Sequence, residues 1–132
     1  MNVLLDTHIL IWALYSPERL PQDIRTVLED ERANIEYSIV SLWEIEIKHN
    51  KFSAVFDFSA EATHVDAQLS GFHMMKMTPY QIGTLGKLNE PKRMHKDPFD
   101  RMLIAQAKFE NVYLLTHDKR LAEYDEECVQ YF

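Results

Sequence analysis

The chain has one cysteine, three glycines and few basic residues among its 132 positions. A lone Cys128 cannot close an intramolecular disulfide, which fits the reducing cytoplasm and leaves the fold to its core. With glycine only at Gly71, Gly83 and Gly86, there is no glycine-rich loop to cradle a nucleotide phosphate. No apolar run approaches the roughly 20 residues needed to cross a bilayer. Residues 1–8 also lack the basic start of a signal peptide. Lys and Arg number 14 against 21 Asp and Glu, a net charge of −7. That balance excludes broad electrostatic attraction to nucleic acid, although it permits a local basic patch. A serine or cysteine nucleophile constellation is absent too.

What remains is an apolar chain, 46% hydrophobic and 11% aromatic, enough for the core of one domain over residues 1–132. Asn2 to Leu5 reads as a short strand buried on both faces, ending at Asp6. A helix is predicted from Ile9 to about Tyr15, and a second after Leu20-Pro21 with Ile24, Val27 and Leu28 on one face. Ile35 to Val40 is the next strand. Ser41 and Glu44 then match a capping box that opens a helix to about His49. Ser59 caps a further helix to Ser70, and Phe72 to Met77 is a short strand at best. Thr78 and Gln81 form a second box, followed by a helix weakened by Gly83 and Gly86. After a polar, basic loop from Asn89 to Lys96, Asp97 is an N-cap and Pro98 a first helical residue. Phe99, Leu103 and Ala107 make that helix apolar on one face to about Glu110. Val112 to Thr116, Lys119 to Glu123 and Val129 to Phe132 complete the series as strand, helix and strand. Such alternation implies a doubly wound α/β sheet with right-handed crossovers.

In such a sheet, ligands bind outside the carboxyl ends of the strands. Asp6 ends one strand and Asp118 lies just past another. Glu44 and Asp100 fall in the first turns of helices that enter at or beside that edge. Several acids also have a structural reading: Asp97 and Asp100 suit a helix start, and Glu44 suits the box, whereas Asp6 has no capping duty unless it caps the next helix. Four carboxylates on one rim repel unless a cation sits among them. Oxygen-only donors suit magnesium or manganese, and phosphodiester hydrolysis is the chemistry that needs such a site. His8 and His117 flank acids and could contact phosphate. Trp12, Trp43, Phe99 and the methionines Met74, Met75, Met77 and Met102 read as core or interface.

The segments Leu4-Leu5-Asp6-Thr7-His8, Ser41-Leu42-Trp43-Glu44-Ile45, Asp97 to Ala107 and Leu114-Leu115-Thr116-His117-Asp118 resemble the PIN-domain family, in order and spacing. They are most similar to its VapC-type branch, the ribonuclease toxins of toxin–antitoxin operons. The resemblance implies a three-layer α/β/α fold around a mostly parallel sheet. It implies that Asp6, Glu44, Asp100 and Asp118 are catalytic and hold Mg2+ or Mn2+. RNA would be the substrate, a small antitoxin protein the partner, and a homodimer the assembly. Asp97 belongs to the third motif in a supporting role, and Thr116 is expected to order a ligand or water. His8 departs from the serine or asparagine common at its position. Candidate RNA-binding residues are Lys48, Lys51, Lys92, Arg93, His95, Lys96 and Arg101. The alternative is a catalytically silent PIN module that binds RNA or an antitoxin. A haloacid-dehalogenase-type phosphatase would need a second aspartate where His8 stands.

Neutralising Lys92, Arg93 and Lys96 together is expected to weaken RNA binding. The log–log salt slope should fall by about 0.7 for each phosphate that no longer meets a cation, read from binding isotherms at several salt concentrations.

Overall fold

Strands β1 (Asn2–Leu5), β2 (Asn34–Ser38), β3 (His73–Met75), β4 (Tyr113–Thr116) and β5 (Val129–Tyr131) pair in parallel, in the order β3-β2-β1-β4-β5. The structure is a computed structural model that describes every residue except Lys92, Arg93, Met94 and Lys96. In the central strand, Leu4 lies opposite Glu36 on one side and Leu114 on the other. Successive β1 side chains point to opposite faces, and each face has its own core. Val3 and Leu5 join Ile9 and Leu10 of α1 (Thr7–Tyr15), Ile24 of α2 (Gln22–Glu29), Leu42 and Ile45 of α3 (Ile39–Lys51) and Ala67 of α4 (Ala60–Leu69). Leu4 instead joins Leu103, Ile104 and Ala107 of α6 (Pro98–Glu110), with Leu121 of α7 (Lys119–Ala122) and Tyr124. A short α5 (Pro79–Thr84) packs on α6. The three-layer α/β/α expectation is met, with a wholly parallel sheet.

Helix starts follow side-chain chemistry. Ser59 caps α4, and Thr78 and Gln81 form the expected capping box at α5. Asp97 caps α6 with Pro98 in its first turn. Asn111 ends α6 in the left-handed region, with φ of 58°, a conformation asparagine tolerates.

The box over Ser41–Glu44 does not form. Strand β2 stops at Ser38, and α3 begins at Ile39 with Ser38 as its cap, accepting from the Val40 N–H at 3.0 Å. Ser41 lies inside the helix, where its Oγ accepts from the Thr7 hydroxyl at 2.9 Å. Tertiary partners explain the choice between the two serines. The Ser38 hydroxyl also donates to Gln106 Oε1 of α6 at 2.6 Å, tying the end of β2 to a helix far away in sequence. Gln106 Nε2 donates in turn to Gln81 Oε1 at 3.1 Å and to the Lys76 carbonyl at 3.3 Å. A buried polar chain thus links β2, α6 and α5 inside an apolar layer, where each partner is costly to lose.

Ser38→Ala removes the cap and leaves Gln106 Oε1 without its donor. The expected cost is about 1–3 kcal/mol, seen in urea unfolding as a lower midpoint with an unchanged m-value.

Candidate active site at the carboxyl ends of the strands

The chain leaves β1 toward β2 on one side, while β4 pairs with β1 on the other. The carboxyl ends of β1 and β4 therefore flank the switch point, where parallel α/β sheets open a crevice. Asp6 follows β1 directly and is only 4% exposed. Its Oδ1 accepts from the Ile9 N–H at 2.9 Å, capping α1, and its Oδ2 accepts from the Thr116 hydroxyl at the end of β4. Asp6 thus does have a capping duty. Burial raises its pKa, opposed by the bonds from Thr116 and Ile9. The Thr116 Oγ1 also accepts from the Asp118 N–H at 3.0 Å, so one hydroxyl ties the two strand-end acids together. Asp118 caps α7, and the Arg120 guanidinium, 2.7 Å from Oδ2, holds its carboxyl below the usual range.

Glu44, in the second turn of α3, is buried. Its Oε2 meets Lys48 Nζ at 3.1 Å. Its Oε1 is buried with no hydrogen-bond partner among the described residues. In α6 the two acids divide the work. Asp97 Oδ1 accepts from the N–H groups of Phe99 and Asp100 at 2.9 and 3.2 Å, so capping belongs to Asp97. Asp100 instead faces His95 Nε2 at 3.0 Å. Its carboxyl is pushed up to about 7, first by burial and then by the charges of Asp97, Glu44, Asp6 and Asp118. The charges of Asp6, Glu44, Asp97 and Asp118 therefore all reach Asp100. The packing is not tight: among the described residues no three His, Cys, Asp or Glu side chains stand ready as a metal-binding group. Three of the acids rest on their own partners, Glu44 on Lys48, Asp100 on His95 and Asp118 on Arg120.

The predicted RNA-binding cations separate. Lys48 is at the rim through Glu44, and Lys51 is exposed at the end of α3. Arg101 lies over the Tyr124 ring at 5.6 Å and donates to its hydroxyl at 3.3 Å. His95 is not on the surface: its side chain is 7% exposed, between Asp100 and the edge of Tyr124. Lys92, Arg93 and Lys96 lie outside the described residues. Sequence reasoning missed Arg120 as the partner of Asp118 and Gln106 as the core polar link. It also missed His95 as the partner of Asp100. A large cavity, about 660 Å³, is lined by Lys108, Asn111, Tyr113 and Glu126. It lies toward the start of β4 and includes none of the converging acids.

The donor set fits a hard divalent cation. It is all oxygen, burial and then the neighbouring acids push the Asp100 carboxyl up to about 7, and Glu44 Oε1 has no hydrogen-bond partner among the described residues.

A model of the PIN domain family matches residues 3–127. Among solved structures the chain is similar to VapBC2 from Rickettsia felis, bound to a DNA fragment from their promoter. Identity is 18%, with 99% of this chain and 98% of that chain covered, at a TM-score of 0.73. No curated protein matches the chain.

Asp100 gives this rim a pH signature. Unfolded, its carboxyl titrates near the ordinary 3.8; folded and metal-free, near 7. Below both values each state holds the proton and no penalty arises. Between them the unfolded chain has released its proton while the folded one keeps it, so stability falls as pH rises. Above about 7 the full penalty is present, up to about 4 kcal/mol. Asp100→Asn is expected to flatten this decline and to stabilise the metal-free protein above neutrality. Denaturant midpoints from pH 4 to 8 in chelator decide it. Equal destabilisation at every pH would make Asp100 a structural residue only.

Proposed function

This chain belongs to the PIN-domain family, and from that premise we propose that it is a metal-dependent endoribonuclease acting as the toxin of a toxin–antitoxin pair. Asp6, Glu44, Asp100 and Asp118 hold Mg2+ or Mn2+ and carry the hydrolysis of RNA phosphodiester bonds. PIN domains are generally nucleases that use divalent metal ions. The observation that carries the reading here is Glu44. A buried carboxylate oxygen with no donor among the described residues, beside three further acids, is costly unless a cation completes it.

A bound divalent cation supplies Lewis-acid activation of water and neutralises charge on the scissile phosphate. The chain's own residues prepare the place. The Thr116 hydroxyl donates to Asp6 and accepts from the Asp118 N–H, so it fixes both. Asp97 caps α6 and so sets Asp100 in the first turn. The polar link from Ser38 to Gln106 anchors the start of α3, the helix that carries Glu44 and Lys48, to α6. Burial of Asp6 and Glu44 excludes water from the carboxylates, which strengthens every charge interaction among them. Lys48, Lys51 and Arg101, with Lys92, Arg93 and Lys96, are the cations offered to RNA phosphates. The likeness to VapBC2 supports a small antitoxin protein as partner, and the same branch of the family suggests a homodimer.

The second reading is a silent module that binds RNA or an antitoxin without cutting. The pairing of Glu44, Asp100 and Asp118 with Lys48, His95 and Arg120 favours it, because a cation must displace these partners.

Purified protein with single-stranded RNA separates the two. Cleavage is expected with Mg2+ or Mn2+ and none in chelator. Asp6→Asn should lower the rate by about 100-fold or more, while circular dichroism and the unfolding midpoint stay near wild type. Asparagine caps a helix about as well as aspartate, so the fold does not depend on the lost charge. Equal cleavage by both proteins would remove Asp6 from the chemistry, and no cleavage by wild type with either metal would leave the silent module.

A further inference from the structure

A second, smaller cavity opens beside the acid rim, about 250 Å³, lined by Asp6, His8, Trp12, His117, Asp118 and Lys119. It is smaller than the roughly 300–1,000 Å³ of sites for drug-sized ligands, so it suits a single ring system. Its walls are aromatic. Trp12 meets His117 edge-on with centroids 5.9 Å apart, and His8 is tilted against Trp12 at 6.2 Å. His8 and Trp12 stand four residues apart, on one side of α1. His117 comes from the turn between β4 and α7 and is stacked on Tyr131 at 5.9 Å. The two segments that position Asp6 and Asp118 therefore also position the rings. Trp12 packs partly against the core, which fixes its plane, while His8 and His117 are exposed.

The chemistry of this lining selects its occupant. Two carboxylates repel a free anion, so the cavity is not a phosphate site. Aromatic faces beside a cation, Lys119, suit a flat π system whose own charge lies outside. We propose that the cavity receives the unpaired base of the nucleotide next to the phosphate held at the acid rim, packed against Trp12 with His8 and His117 around it. This rests on the reading of RNA as the substrate. A base in a duplex is already stacked and paired, so entry requires an unpaired position or a flipped base. His8 and His117 are thereby specificity-determining residues.

The chain has two tryptophans, and Trp43 is 59% exposed, so Trp43→Phe leaves Trp12 as the single tryptophan, excited apart from the tyrosines. That protein is mixed in stopped flow, with Mg2+, with a short single-stranded oligoribonucleotide, and read before cleavage. A companion series carries one abasic nucleotide, moved stepwise along the same sequence. The expected results are quenching of Trp12 by the intact strand and a drop in affinity of about 5- to 100-fold at one abasic position. His8→Ala should weaken the intact strand yet leave that abasic strand unchanged. By fluorescence anisotropy of a dye-labelled strand, Trp12→Phe, which keeps a ring, should bind better than Trp12→Leu, with folding of each checked by its unfolding midpoint. Unquenched Trp12, or equal tolerance of every abasic position, overturns the base pocket. If wild type still cuts such strands, the nuclease reading survives that failure. Base-dependent quenching without cleavage in any metal gives the reverse outcome.

Discussion

Burying carboxylates beside one another is the constraint on which the rest of this structure depends. Each acid at the rim meets the cost differently. Asp6 takes two hydrogen bonds, from Ile9 and Thr116. Asp118 takes a guanidinium, and its pKa falls accordingly. Asp100, against His95, is pushed up to about 7, first by burial and then by the charges of four other acids. Glu44 satisfies one oxygen on Lys48, and the other has no hydrogen-bond partner among the described residues. Such an arrangement persists only because both cores hold the elements that carry it. Leu4 and Leu5 fix Asp6 from opposite faces of β1, and Ile45 seats the turn that carries Glu44.

Helix capping and site building are one act here. In a parallel sheet the residue that ends a strand is also placed to cap the helix that follows, and it sits on the ligand edge by topology. Asp6 and Asp118 both follow that rule, each giving one oxygen to a backbone amide at the start of α1 or α7. The second oxygen of each is held by a side chain, Thr116 or Arg120. A structural and a functional reading of Asp6 are therefore not alternatives. They separate only in α6, where Asp97 carries the cap and releases Asp100 to the rim.

This division explains what could be read from the residues alone. The ends of β1 and β4, the Asp97-Pro98 start and the Thr78 box are local, and all of them hold. The placing of Asp6 and Asp118 at the ends of neighbouring strands follows from the same local signals, so it too was legible. The start of α3 was not, because Ser38 and Ser41 have equal capping chemistry and Gln106, 68 residues away, selects between them. The burial of His95 was hidden for a similar reason. A histidine in a basic loop reads as solvated, and only the fold brings Asp100 and Tyr124 against it. Lys48 on Glu44 is an i, i+4 pair on one helix, a spacing that sequence does show.

Net charge sets how such a site can hold nucleic acid at all. Non-specific affinity comes from neutralising phosphates and releasing their counterions. A chain with a net charge of −7, whose rim cations Lys48 and Arg120 are already engaged by carboxylates, has little of that to offer. Stacking differs, because it needs no net positive charge and strengthens with the rigidity of the aromatic wall. Trp12 has that rigidity, since it grows from α1 soon after the cap made by Asp6 and packs against the core beneath. An acidic protein that cuts RNA would then bind weakly along the backbone and discriminate at the base. The scarcity of lysine and arginine and the ring cluster beside Asp6 become two sides of the same physical solution.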